Sequence, residues 1–382
     1  MYILLSVFCF ATSLIAAGFL YQWLGARRDR RRYASLGRWV DVGTAGKLYV
    51  LEQGSGGPTV LFESGIAATN LNWCHIQEMV SRFTHTASYD RGGLGWSSPC
   101  RSARTPGNIA VELHAMLQCA GIKPPYLLVG HSFGGLVMRR YALMYPEDVT
   151  GVVLVDPMRT EEWQPLDPAA QSALERGRKL TRYAIPIARC GLARVAVTSL
   201  LCRSGRLSSW LASSAGDGGR HVLRRISDEV GKMPRKVWPA VAAHWSRPGY
   251  YAGMYRHVDA VPDTVREMQD ADPIRDIPVL LLTPGTSLPL CEQRLQRIGD
   301  NVQQVIAHAS AHWIHLDEPD LVIDSIRNMV TAEACVSMAT EATAAVVCGE
   351  RAPGAGAHEG RARWPTLLPI RTDQLLDTSN LG

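Results

Sequence analysis

Short apolar segments and longer amphipathic segments alternate along the chain from residue 38 onward. Apolar runs bounded by glycine, proline or polar residues predict strands at Trp39–Val42, Leu48–Glu52, Val60–Phe62, Thr86–Tyr89, Leu127–Val129, Val152–Val155, Val279–Leu282 and Val302–Ile306. Helical patterns separate the later strands, at Trp73–Phe83, at Ile109–Ala120 and from Phe133 onward. This alternation predicts an α/β fold with a mostly parallel sheet and helices on both of its faces.

The N-terminal pattern is different, because Tyr2 to Leu24 carries no charged residue. A helix of about 20 apolar residues crosses a hydrocarbon layer of about 30 Å. Arginines follow at once, from Arg27 to Arg32, whereas a cleaved signal peptide carries its positive charge before the apolar run. We therefore expect a single-pass anchor over residues 1–26, with the arginines and the main domain in the cytoplasm. The alternative is an uncharged signal sequence that ends near Ala17 and exports the domain.

The sheet pattern is interrupted between Pro157 and Ile277 by about 120 residues, far more than an ordinary connection. This length predicts a helical lid insert over residues 158–276, following the sixth strand. The core then comprises residues 38–157 and 277–331. After residue 331 an Ala-, Gly- and Arg-rich composition with few large apolar residues predicts a disordered tail over 332–382.

Charge is concentrated in the insert, although the whole chain has a formal net charge of only +5. From Gln171 to Arg256 there are sixteen Lys and Arg residues against four Asp and Glu, interleaved with apolar side chains. We expect this basic surface to rest on membrane lipid, or else to be a solvated helical face above a substrate pocket. Nucleic-acid binding is not expected, because no recognition motif accompanies the charge. Nine scattered cysteines without a CxxC pair argue against a disulfide framework and a zinc site.

The strongest chemical signal is the segment Gly130-His131-Ser132-Phe133-Gly134, which lies between a predicted strand and a predicted helix. A serine at such a tight turn is held in a strained conformation with its hydroxyl clear of the sheet. The amides at the start of the following helix face the same place and favour negative charge there. Ser132 is the candidate nucleophile.

Several motifs occur in an order that resembles the α/β-hydrolase fold proteins. These are Glu63-Ser64-Gly65, the segment Ser88 to Ser97, the serine turn, Leu154 to Pro157, and Ser310 to His315. The resemblance covers roughly Arg38 to Val330 without the middle of the insert. It implies an eight-stranded, mostly parallel sheet and a serine, acid, histidine triad in that chain order, with no metal or organic cofactor.

The resemblance places the catalytic base after the last strand, where His312 follows a small residue. His308 and His315 are competitors, and a hydrogen-bonded core position suits His315 better. His131, beside the serine, is expected to pack against the turn.

The acid departs from the family pattern, because Thr283 to Ser287, after the seventh strand, contains no carboxylate. Some lidded relatives, such as haloalkane dehalogenases, carry the acid after the sixth strand, which is the position of Asp156. Asp156 is the candidate acid, with Glu292 and Glu161 in reserve. The alternative role for Asp156 is to cap the turn before Pro157.

The oxyanion hole requires backbone donors, for which the amides of Ile66 and Phe133 are the candidates. Asp90 and Arg91 are expected to form a buried ion pair that holds the loop from Gly92 to Gly95.

Together these residues predict a serine hydrolase that cleaves a carboxylic ester of a lipid or another small hydrophobic molecule through an acyl-enzyme. Amides, thioesters and carbon-carbon bonds are alternative substrates for the same groups. The missing carboxylate after the seventh strand leaves a second alternative, a non-enzymatic binding protein with the same fold.

Overall fold

The computed structural model describes residues 2–160, 168–201, 229–287 and 289–332. Nearly all of the predicted tail, Glu161 and the middle of the insert lie outside these residues.

A single eight-stranded sheet forms the centre of the described protein. Its strands are β1 Arg38–Asp41, β2 Lys47–Gln53, β3 Thr59–Glu63, β4 Thr86–Asp90, β5 Tyr126–His131, β6 Val149–Val155, β7 Val279–Pro284 and β8 Val302–Ala307. Their spatial order is β1-β2-β4-β3-β5-β6-β7-β8. β2 pairs antiparallel with β1 and β4, and the other neighbours pair parallel. The predicted mostly parallel α/β sheet is confirmed.

Helices surround the sheet and form the insert. They are α1 Tyr2–Tyr33, α2 Cys74–Val80, α3 Pro106–Ala120, α4 Phe133–Met144, α5 Pro168–Arg189, α6 Leu192–Leu201, α7 Trp238–Trp245, α8 Pro248–Asp259, α9 Val261–Gln269, α10 Glu292–Gln296, α11 Ile314–Asp317 and α12, residues 319–332. The segment from α5 to α9 lies between β6 and β7 in the chain.

The central strands are apolar along their whole length because both of their faces are covered. Leu128 and Leu154 belong to one hydrophobic core, whereas their neighbours Val129 and Val153 belong to the opposite core. Each fully buried side chain of this size contributes about 1.5 to 3 kcal/mol to folding. This burial fixes β5 and β6 side by side, which places their carboxyl ends together at one edge of the sheet.

The insert is attached to loops at that same edge. Tyr250 of α8 donates from its hydroxyl to the carbonyl of Ala67 at 3.1 Å, and Arg247 donates to the carbonyl of Gly95. A methyl group on Gly253 would clash with the carbonyl oxygen of Gly93, so α8 approaches this loop closely. Helix α8 of the insert therefore packs over the loops that follow the carboxyl ends of β3 and β4.

Helix α1 is long and apolar enough to cross a membrane, with a mean hydropathy of 2.3 over its most apolar 18 residues. A membrane anchor and a signal sequence both have this form, so the helix alone assigns neither a destination nor an orientation. Six of the cysteines fall within the described residues, and all six are free thiols.

Candidate active site

Ser132 lies in a tight turn between the end of β5 and the start of α4. Its backbone has φ 54° and ψ −120°, a conformation that costs a non-glycine residue of order 1 to 3 kcal/mol. The turn is held by hydrogen bonds from the Ser132 amide to Val155 O at 3.1 Å and from the Gly135 amide to Ser132 O at 3.0 Å. The side chain of Ser132 is therefore presented at the carboxyl edge of the sheet.

Three glycines make this turn possible. A methyl group on Gly130 would lie 2.5 Å from the carbonyl oxygen of Gly134, and one on Gly134 would lie 2.5 Å from that of Glu63. One on Gly135 would lie 2.8 Å from the side chain of Pro157. The glycine pattern around Ser132 thus reflects the close approach of β3, α4 and the turn after β6.

Asp156 and His312 form a hydrogen bond in which His312 Nδ1 lies 2.7 Å from Asp156 Oδ2. Asp156 follows β6 directly, has φ 39°, and donates its amide to Leu282 O at 2.9 Å. The Asp156 side chain is 16% exposed and that of His312 is 36% exposed. The Asp156 end of the pair is therefore largely enclosed by the protein, whereas the His312 end is more accessible.

The loop that carries His312 is fixed at both of its ends. His131 Nε2 donates to the carbonyl of His312 at 2.8 Å, and the two rings lie 4.7 Å apart between centroids. Glu318 Oε1 accepts from the Ser310 hydroxyl at 2.6 Å and from the Ala309 amide at 2.8 Å. Because His131 precedes Ser132 in the chain, the first of these bonds holds the His312 loop beside the turn.

The two candidate oxyanion donors, the amides of Ile66 and Phe133, lie next to the Ser132 turn. Gly65 is in contact with the turn, since a methyl group placed on it would lie 3.7 Å from Ser132 Cβ. The side chain of the next residue, Ile66, packs against Phe133. Within the described ranges, the amides of Ile66 and Phe133 have no hydrogen-bond acceptor.

Comparison with known proteins agrees with this geometry. A family model described as alpha/beta hydrolase fold matches residues 58–191. Cfl2 from Burkholderia cenocepacia superposes with a TM-score of 0.57 at 18% identity, over 77% of this chain and 95% of that one. The chain belongs to the α/β-hydrolase fold superfamily.

Curated relatives of this α/β-hydrolase match only part of their own length. YqjL of Bacillus subtilis is 35% identical over 105 residues, which are 28% of this chain and 42% of YqjL. RutD of Escherichia coli, whose name assigns it provisionally to carbamate hydrolysis, is 35% identical over 101 residues. That match covers 26% of this chain and 36% of RutD. The chain thus spans less than half of the length of these two relatives.

The competing histidines of this α/β-hydrolase have different surroundings. His315 is buried against Trp73, with ring centroids 4.6 Å apart, and burial, reinforced by His312, lowers its pKa to about 3. Burial also lowers the pKa of His131 far below its usual value, with smaller contributions from His315 and His312. His308 is exposed. Among the described residues, neither His308 nor His315 is paired with a carboxylate.

The reserve carboxylates are not brought to His312 in the described protein. Glu292 is exposed on α10, where it accepts from Gln296 of the same helix at 3.4 Å. Glu161 lies outside the described residues.

Arg91 has a different partner from the one predicted. It forms its ion pair with Glu63 at 3.4 Å, whereas Asp90 accepts from the amides of Asn70 at 3.0 Å and Trp96 at 2.8 Å. Successive residues of an extended segment project to opposite sides, so Asp90 and Arg91 face different neighbours. Asp90 holds the glycine loop without Arg91, and the predicted ion pair between them is wrong.

Sequence reasoning also missed what Arg91 does at the candidate oxyanion site. Its guanidinium donates to the carbonyls of Ser64, at 3.1 Å, and Gly65, and it lies 5.1 Å from the ring centroid of Phe133. The carbonyl of Gly65 and the amide of Ile66 belong to one planar peptide group. Arg91 therefore fixes the orientation of the Ile66 amide. No local motif links Arg91 to that loop, because the contact depends on the pairing of β3 with β4.

A cavity of about 570 Å³ adjoins Asp156. Apolar side chains and several arginines line it, including Met158, Leu281, Arg139 and Arg297. It lies where β6 and β7 end, the usual place for a ligand in an open α/β sheet.

Proposed function

We propose that this α/β-hydrolase is a serine hydrolase that cleaves carboxylic esters through an acyl-enzyme on Ser132. The observation that carries the proposal is the 2.7 Å hydrogen bond between His312 Nδ1 and Asp156 Oδ2. It pairs a carboxylate with a partly exposed imidazole. The loop that carries this imidazole is held beside Ser132 by His131.

The pairing determines the direction of proton transfer. A carboxylate at Nδ1 keeps the proton on that nitrogen and leaves Nε2 free to accept the proton of the Ser132 hydroxyl. Ser132 Oγ then bonds to the ester carbonyl carbon, and the amides of Ile66 and Phe133 stabilise the resulting oxyanion. His312 returns the proton to the leaving alcohol as the carbon-oxygen bond breaks. Water, activated by His312 in the same way, releases the acid and regenerates Ser132.

The surroundings of Ser132 favour a hydrophobic ester. Ile66 and Met158 flank the turn, and they pack against Leu174 of α5 and Val261 of α9 in the insert. An apolar wall shared by core and insert favours burial of an acyl chain or hydrophobic alcohol. This contact also supports a lid role for residues 158–276.

Amide-type substrates are the second candidate within the same chemistry. The partial match to RutD, named for carbamate hydrolysis, supports that alternative. The two substrate classes differ in their leaving group, because an amine has to be protonated before it departs whereas an alkoxide leaves more easily.

A fluorophosphonate probe tests the proposal on the full chain. Labelling that is abolished by Ser132→Ala and kept in Ser81→Ala supports a nucleophilic Ser132. A folded chain that is not labelled would instead indicate a non-enzymatic binding protein. A panel of p-nitrophenyl esters of graded chain length, with matched carbamates, then ranks the substrate classes.

We propose further that α1 is an uncleaved anchor and that the arginines after Leu24 keep the catalytic domain in the cytoplasm. The α1 helix runs without a break from Tyr2 to Tyr33, past the alternative cleavage position near Ala17. Protease protection of the domain in right-side-out vesicles supports this orientation, and digestion from outside contradicts it.

A further inference from the structure

One face of α1 packs against the corner between α5 and α6. Gly18, Gln22, Gly25 and Asp29 follow one another at intervals of four, three and four, which places them on one side of the helix. A methyl group on Gly18 would lie 2.4 Å from the carbonyl oxygen of Cys190, so the two backbones touch at this point.

A buried arginine closes the same contact. Arg194 of α6 donates from Nε to Gln22 Oε1 at 3.0 Å and from Nη1 to Asp29 Oδ2 at 2.5 Å. A methyl group on Gly25 would lie 2.6 Å from Arg194 Nε, so a larger side chain there would displace the guanidinium. The insert is thus fixed to α1 by close packing and by a charged hydrogen bond.

The length of α1 brings this contact to the membrane surface. At about 1.5 Å per residue, a hydrocarbon layer of about 30 Å needs about 20 residues. A span that begins at Tyr2 therefore ends near Tyr21, and its last turn includes Gly18. If α1 crosses a bilayer, the α5–α6 corner is carried to the bilayer surface, in either orientation of the chain.

The surface of this corner has the composition of an interfacial helix pair. Five large apolar side chains are exposed on it, namely Leu180 (53%), Tyr183 (68%), Ile187 (47%), Leu192 (60%) and Val195 (43%). The three on α5 are spaced by three and four residues and form one stripe. Exposed basic residues lie on the same helix, at Arg176, Lys179, Arg182 and Arg189, with Glu175 as its only acidic residue.

We propose that the α5–α6 corner is a lipid-binding surface that enters the head-group region of an anionic bilayer and is held there by α1. Apolar side chains enter the interface while neighbouring arginines and lysine pair with anionic head groups. Leu174, near the start of α5, packs in the apolar cluster with Ile66 beside the proposed active site. Helix α5 thus connects the bilayer surface to that site, and a hydrophobic ester reaches Ser132 from the membrane. The lipid contact rests on the proposed anchor, whereas the route of the ester to Ser132 rests in addition on the proposed reaction.

The experiment uses the full chain reconstituted into phosphatidylcholine vesicles with and without phosphatidylglycerol. An environment-sensitive fluorophore is attached to Leu192→Cys, or to Val111→Cys as a control, in a chain whose other accessible cysteines are serine. Val111 is 49% exposed on α3 and belongs to no contact with α1 described above. We expect a spin-labelled lipid to quench the probe at 192 several-fold more than the probe at 111, and more so with phosphatidylglycerol. Equal quenching at both positions overturns the proposal.

A matched pair of variants tests the role of α1. Gly18→Leu should weaken quenching at position 192 while the chain still floats with the vesicles, whereas Ala17→Leu, on an exposed neighbouring position, should leave it unchanged. Identical behaviour of the two variants overturns the role of α1 in holding the corner at the bilayer. A probe that is shielded in proportion to protein concentration but not quenched by lipid indicates a second copy of the chain and overturns the lipid assignment. A chain that does not float with vesicles overturns both the anchor and the corner.

Hydrolysis of a short soluble ester is measured in parallel on the same samples. If the chain does not hydrolyse the ester but the probe at position 192 is still quenched by lipid, only the proposed reaction is contradicted. Failure of the reaction and failure of the lipid contact are therefore distinguishable.

Discussion

Asp156 and His312 are 156 residues apart in the chain, and yet their side chains meet at 2.7 Å. The contact depends on two strand ends, because Asp156 follows β6 and His312 lies on the loop after β8, with β7 between them in the sheet. A carboxylate after β6 thus reaches an imidazole that the family usually pairs with an acid after β7. The lack of a carboxylate from Thr283 to Ser287 therefore does not leave His312 without an acid partner.

Replacement of Asp156 tests that pairing. Asp156→Asn keeps the size of the side chain but no longer holds the imidazole in the productive tautomer, so we expect kcat to fall by about 10⁴. Ester hydrolysis, with circular dichroism to verify folding, gives the measurement. Glu292→Gln, which changes the exposed reserve carboxylate, is the control and should leave kcat unchanged. A near-normal rate for Asp156→Asn would remove Asp156 from the proposed triad.

Arg91 offers a test of the proposed oxyanion hole. Arg91→Lys keeps the positive charge beside Glu63 but cannot donate to the carbonyls of Ser64 and Gly65 in the same fork geometry. We expect kcat to fall ten- to a hundredfold with little change in KM, because an oxyanion forms only during the reaction. Arg247→Lys changes another arginine that donates to a loop carbonyl, that of Gly95, and should affect kcat much less. Equal effects of the two variants would indicate a general structural role.

Glu318 should affect the rate of hydrolysis because it holds the loop that carries His312. Glu318→Ala removes the acceptor for Ser310 and Ala309, and we expect kcat to fall about tenfold because His312 is less well positioned. Glu318→Gln retains an acceptor oxygen and should recover most of the rate, whereas Asp320→Ala, at an exposed position, should match the native chain. A full rate in Glu318→Ala would show that the loop is held without this residue.

His315 should make the fold sensitive to acid. Its folded pKa of about 3 lies below the ordinary value of 6.5, so the unfolded chain takes up the proton first. The stability linked to His315 is complete above pH 6.5 and is lost as the pH falls toward 3. His315→Phe keeps an aromatic ring against Trp73 and removes the titration. Between pH 8 and pH 4.5, the free energy of unfolding should fall by about 2 to 3 kcal/mol less in this variant than in the native chain.

Urea unfolding at pH 8 and pH 4.5 measures this difference. His308→Phe, which changes an exposed histidine, serves as the control and should follow the native chain. Parallel losses in His315→Phe and the native chain would contradict the expectation.

The sequence predicted those parts of the molecule that depend on local pattern. The strands, the serine turn and the order of the motifs follow from apolar periodicity and from glycines that close packing requires. Contacts between distant segments were harder to predict. Arg91 was paired with its sequence neighbour Asp90, whereas the sheet places Glu63 of β3 beside it. The role of Glu318 in holding Ser310 also depends on how the chain folds back after β8.

The position of Asp156 directly after β6 has a consequence for engineering the protein. Since the turn from Thr286 onward bears none of the proposed catalytic groups, it can be lengthened or exchanged without rebuilding the reacting centre. Gly285 is excluded from such changes, because a methyl group there would lie 2.7 Å from the carbonyl oxygen of His308. Diversifying the residues that follow Gly285 should therefore alter which molecules the neighbouring cavity admits, and leave the rate of bond cleavage intact.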